Sequence, residues 1–123
     1  MRTTEIQGFL LLGRETYVFS EALDPLTSGT WLDYTDGMVY DRRKVLEDAL
    51  VPLNYAGYQE AAWFRAKAKI YVGADYGGGG GKTTYRRRVE LLEILEASSE
   101  PVQAFLKNNP QYVPPPGWNP PPD

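Results

Sequence analysis

Apolar and polar positions alternate almost strictly from Trp63 to Val72. Phe64, Ala66, Ala68, Ile70 and Val72 fall on one side; Trp63, Arg65, Lys67, Lys69 and Tyr71 fall on the other. Side chains of an extended chain project alternately to its two faces, so this period of two predicts a strand with one buried and one solvated face. A partly alternating apolar run from Thr4 to Leu12, a turn at Gly13-Arg14-Glu15, and Thr16 to Ser20 predict two further strands joined as a hairpin. Gly8, inside the first of these, suggests a bulge or bend where the strand must curl. Asp24-Pro25 and Ser28-Gly29 punctuate a loop, after which Thr30 to Tyr34 reads as a third strand ending at Asp36-Gly37.

The period changes over residues 38 to 50. Val45, Leu46, Ala49 and Leu50 share one face of a helix and Arg42, Arg43, Glu47 and Asp48 the other, with Asp41 as N-cap and Pro52 as terminator. Asn54 to Glu60, with Gly57, reads as a loop. Thr84 to Ala97 is ambiguous. Its Arg, Glu and Leu content favours helix by propensity, and its apolar residues fit a broad helical sector. Tyr85, Val89 and Leu91, followed by Leu92 and Ile94, also fit alternation interrupted by one bulge. The preceding strand needs a partner, and strand is the reading adopted. A short helical turn follows from Ser99-Glu100-Pro101 to Lys107. The proline-rich residues from Val113 onward fit neither helix nor ladder, which predicts polyproline II or disorder. The expected division is a domain over residues 1–108 and a Pro-rich tail over 109–123.

Five glycines, Gly77 to Gly81, precede Lys82-Thr83 and invite comparison with a nucleotide-binding loop. That loop needs a glycine five positions before Gly81, where Tyr76 stands. The run is better explained as a hairpin connection between the last two strands.

A chain of 123 residues fits one domain with one modest core. The absence of cysteine and histidine removes thiolate nucleophiles, zinc–thiolate sites, Ser-His-Asp triads and the commonest general base. An enzyme is therefore not expected, nor a cofactor or a metal. No apolar stretch approaches a membrane span and no export signal is visible, so a cytoplasmic location is the expectation. The formal net charge of −3 conceals an asymmetry. Arg65 to Arg88 holds seven basic residues against the single acid Asp75, whereas the remaining chain holds six basic and fifteen acidic residues.

Three curled strands, a helix and two further strands, with Gly8 in strand one, Lys69-Ile70-Tyr71-Val72-Gly73 ending strand four and Tyr85-Arg-Arg-Arg-Val-Glu-Leu-Leu-Glu-Ile in strand five, resemble small bacterial OB-fold-like β-barrels over about residues 3 to 97. The resemblance implies a mainly β, five-stranded OB-like barrel with one helix between strands three and four. It carries no catalytic residue across.

Two interaction surfaces follow from the charges. Glu5, Glu15, Glu21, Asp24, Asp33 and Asp36, in the first three strands and their loops, would meet a basic protein partner, as an immunity protein neutralising a toxin does. The alternative is a stacking-and-phosphate platform for single-stranded nucleic acid, built from Trp63, Lys67, Lys69, Tyr71, Lys82, Arg86 and Arg88. Against the platform stands a solvated face whose cations pair with Glu90, Glu93 or acids of the helix. Trp118, amid the tail prolines, is a candidate anchor for a partner groove or for the barrel itself.

Overall fold

A computed structural model describes residues 3–13, 16–24, 26, 30–34, 40–76 and 85–114. Strands β1 (Thr3–Gly13), β2 (Thr16–Ser20) and β3 (Thr30–Tyr34) precede helix α1 (Tyr40–Glu47); β4 (Val51–Tyr55), β5 (Tyr58–Tyr76) and β6 (Tyr85–Ser98) follow it. Helix α2 (Glu100–Asn108) and a 3-10 turn, Pro110–Tyr112, complete the described chain. The sheet order is β1-β2-β3-β6-β5-β4, and β1 also pairs with β5. Five strands thus close into a ring, with β4 appended. All pairings are antiparallel except β3 with β6, which is parallel.

The mainly β expectation holds, and among the described residues a sixth strand joins the five expected. The sixth, β4, lies where a terminator and a loop were expected. Pro52 does not end the helix, which stops at Glu47; it stands in β4 opposite Glu60, on a short strand where its missing N–H is tolerated. The supposed loop is a tight hairpin in which Tyr55 pairs with Tyr58 across Ala56 (φ 53°) and Gly57 (φ 87°). Positive φ at both central residues is the backbone of the turn whose twist matches that of its flanking strands.

Strand β5, 19 residues long, organises the molecule. One edge carries β1 from Tyr58 to Lys69; the other carries β4 from Tyr58 to Ala61 and then β6 from Trp63 to Tyr76. Its inner face, Ala62, Phe64, Ala66 and Ala68, is fully buried with Leu10, Leu32, Val89 and Leu91 inside the ring. The alanines leave room for Phe64 and Phe19, whose rings meet edge-on with centroids 5.7 Å apart. Val72, assigned to this inner face by alternation, is 70% exposed because β5 there runs past the end of β1.

A second core lies on the outer side of the ring, where Leu11, Val18, Leu53 and Ala61 pack against Val102 and Leu106 of α2. Adjacent Ala61 and Ala62 are both wholly buried because they face opposite cores. Pro101 lies in the first turn of α2, where the lack of an N–H costs nothing, and the Ser98 hydroxyl accepts from the Glu100 N–H at 3.1 Å. Beyond α2, Tyr112 folds back onto Tyr55 and Phe105, with ring centroids 4.4 and 5.9 Å away. Helix α1 contributes Leu46 to the inner core, while Val45, expected on the same face, is half exposed.

Gly8 does not mark a bulge: it pairs in register with Phe64. A Cβ there would lie 2.6 Å from the Ser20 carbonyl oxygen and 2.8 Å from a Phe19 ring carbon. The glycine is required by this close approach of β1 and β2. The β1–β5 register shifts instead at Leu12/Gly13, where Gln59 is skipped, and two bulges lie in β6, where Leu95 is skipped between the pairs Arg65–Glu96 and Ala66–Ile94, and Leu92 between Lys67–Glu93 and Ala68–Leu91.

Candidate functional site

The outer face of β5 presents Trp63, Arg65, Lys67, Lys69 and Tyr71 in the alternation read from the sequence, and β6 sets Arg88 opposite Tyr71. Trp63 lies between Phe9 and Ser98. The Arg88 guanidinium stacks over the Tyr71 ring, 4.5 Å from its centroid. Glu90 accepts from the Tyr71 hydroxyl at 3.2 Å and from Arg88 at 3.4 Å. The five polar and aromatic residues of β5 and Arg88 therefore do share one face.

Register decides the charge of that face. Glu5 of β1 and Glu93 of β6 flank Lys67; Glu90 stands opposite Lys69, and Glu96 opposite Arg65. Arg65 donates to Glu5 at 3.0 Å and lies 3.6 Å from Glu96. The cations Arg65, Lys67, Lys69 and Arg88 are thus interleaved with the carboxylates Glu5, Glu90, Glu93 and Glu96, and the patch they form has no net charge. Arg65 and Glu5 are 35% and 55% exposed, so such pairs are each worth about 0–1 kcal/mol. Their larger effect is on the field: among the described side chains, a phosphate backbone approaching this face meets as many negative as positive groups.

The acidic set is only partly gathered. Glu5, Glu21 and Asp24 are exposed. Glu5 and Glu21 border one cleft of about 390 Å³ at an end of the ring, with Ile6, Phe19, Ile70 and Val89 as its apolar walls. Asp24 lies elsewhere, beside Tyr55 on the outer core. Tyr55 donates to the Leu23 carbonyl at 2.8 Å, and burial, then the Asp24 charge, push its phenol above the ordinary range. Asp33 belongs to β3, with its side chain outside the described residues; Glu15, Asp36, Lys82 and Trp118 lie outside them altogether, as do the side chains of Arg86 and Asp41.

A second cleft, of about 470 Å³, opens between α1 and the other end of the ring. Leu10, Leu12, Leu32 and Leu50 form its walls, with Arg43 and Glu47 of α1 beside them. Burial alone raises the carboxyl of Glu60, which stands between Leu12 and Pro52 on neighbouring strands. Among the described residues no group of three or more acidic side chains is placed to hold a metal, and no helix is long and apolar enough to cross a membrane.

Sequence reasoning did not single out Ile6, Phe19, Ile70 and Val89 as walls of a cleft. The available signal was the mismatch between an apolar run of about nine residues in the first strand and five in its hairpin partner, which leaves part of the first strand uncovered.

No family model matches this chain, and no curated protein or solved structure does so either.

Proposed function

We propose that this chain is a non-catalytic, OB-like binding module whose partner is another protein with a basic surface, in the manner of a neutralising immunity protein. The order of three strands, a helix and the long closing pair around a five-membered ring supports the OB-like reading. The observation that carries the choice of partner is the interleaving of Glu5, Glu90, Glu93 and Glu96 with the β5 and β6 cations. It removes the net positive stripe that single-strand binders use to track a phosphate backbone. Meanwhile Glu5 and Glu21 stand exposed around a cleft of mixed polar and apolar lining, a combination suited to cationic side chains with aliphatic stems.

A single-stranded nucleic-acid binder is the second reading, favoured by the Arg88–Tyr71 stack and by Trp63 on the same face. Fluorescence anisotropy separates the two. With labelled oligolysine, binding should be measurable at low salt and weaken as ionic strength rises, while a mixed-sequence single-stranded DNA or RNA of similar length stays free. Retention of the oligonucleotide without binding of oligolysine would reverse the assignment.

A further inference from the structure

Strand β1 is eleven residues long, and β5 pairs with it from Thr3 to Gly13. On its other edge β2 pairs only from Phe9 to Gly13, and Gly8 is buried against Ser20 and Phe19, so among the described residues Thr3 to Gln7 have no strand on that side. Thr3, Thr4, Glu5 and Gln7 are exposed. Alternate residues of a strand aim their N–H and C=O groups at a given edge, so this half of β1 offers an unsatisfied ladder to an incoming strand. The cleft walled by Ile6, Phe19, Ile70 and Val89 opens beside that edge, and Glu5 and Glu21 border it.

We propose that the open edge of β1, Thr3–Gln7, takes up an extended segment of a basic partner protein by strand addition. One lysine or arginine of that segment places its aliphatic stem on the partly exposed Ile6 and Ile70 and its charged head near Glu5 and Glu21. The inference rests on the reading of the chain as a binder of a basic protein and specifies how that binding occurs. Three features converge on this occupant. The edge left open among the described residues requires an extended backbone, the apolar walls require a hydrocarbon stem, and Glu21, with Glu5 shared between Arg65 and the incoming group, favours a cation. Charge on the strip also discourages a second copy of this chain, since pairing two such edges would bring Glu5 and Glu21 of each copy together.

The test uses the full chain and a short capped peptide of alternating valine and lysine, with two controls. One control replaces lysine by glutamate; the other is N-methylated at alternate backbone nitrogens. The expected result is saturable perturbation of the amides of Thr3–Gln7 and of the Ile6 and Ile70 methyls. Amide exchange over Thr3–Gln7 should slow. N-methylation, or the double variant Glu5→Gln with Glu21→Gln, should each weaken the lysine peptide by about tenfold or more. The variant Glu100→Gln, on α2, should leave it unchanged.

If the lysine peptide binds in a salt-sensitive way but N-methylation has no effect, or the perturbations map elsewhere, strand addition at β1 is wrong while the basic-partner reading survives. If no cationic peptide binds at low salt, both fall. Concentration-dependent dimerisation with protection confined to Thr3–Gln7 would assign the edge to a second copy and also overturn the proposal.

Discussion

Ala56 occupies the left-handed region at φ 53°, a conformation whose crowding between Cβ and the following carbonyl costs an L-residue about 1–2 kcal/mol. The residue is exposed, so no packing compensates for it. Asparagine adopts this conformation more readily and commonly precedes glycine in such turns. Ala56→Asn should therefore raise the free energy of unfolding by roughly 1 kcal/mol in a urea titration. Glu60 is the second residue with a local conflict. Because burial raises its folded-state pKa, the native chain holds the Glu60 proton more tightly than the unfolded chain does. The stability it contributes is complete below the unfolded value of about 4.3 and is lost as pH rises through the higher folded value. Glu60→Gln should then be more stable than the parent at neutral pH, with the difference disappearing below about pH 4, as thermal melts across pH would show.

At the scale of elements, α2 is an integral part of the fold. Leu106 is 7% exposed in the outer core with Val102, Leu53 and Leu11, so Leu106→Ala should cost about 2–5 kcal/mol by chemical denaturation. The sequence showed α2 only as a brief helical turn after a strand. It showed β5 from Trp63 to Val72 plainly, because the alternation there is nearly unbroken, and the β1–β2 hairpin by two apolar runs joined at the Gly13 turn. The ambiguity of β6 has a physical cause. Two bulges, at Leu95 and Leu92, each advance the chain by one residue, so the buried positions Leu91 and Ile94 fall three apart, a helical spacing. Residues Tyr58 to Ala62 hid for a different reason. Ala61 and Ala62 face different cores, and a strand buried on both sides does not alternate. The neutral character of the β5 face was hidden as well, since its compensating acids come from β1 and β6 and meet the cations only through register. Charge reversal exposes that register: Lys67→Glu sets three carboxylates in a row with Glu5 and Glu93 and should destabilise by about 1 kcal/mol at low salt, with recovery as salt is added.

For the whole molecule, the decisive fact is the closure of the ring. Thr3 finds its partner at Lys69, and Trp31 finds its own at Arg88. Of the first three strands β2 alone has both neighbours early; β1 waits for β5 and β3 for β6. Chain entropy must be surrendered over loops of some sixty residues before the inner core begins to compensate. Topologies dominated by such distant pairings fold on a scale of about milliseconds to seconds, slower than helical bundles of similar stability. On the ribosome, β1, β2 and β3 would emerge with their apolar faces uncovered and wait for β5, so the nascent chain passes through an interval in which its own amino-terminal half is the segment most in need of a chaperone.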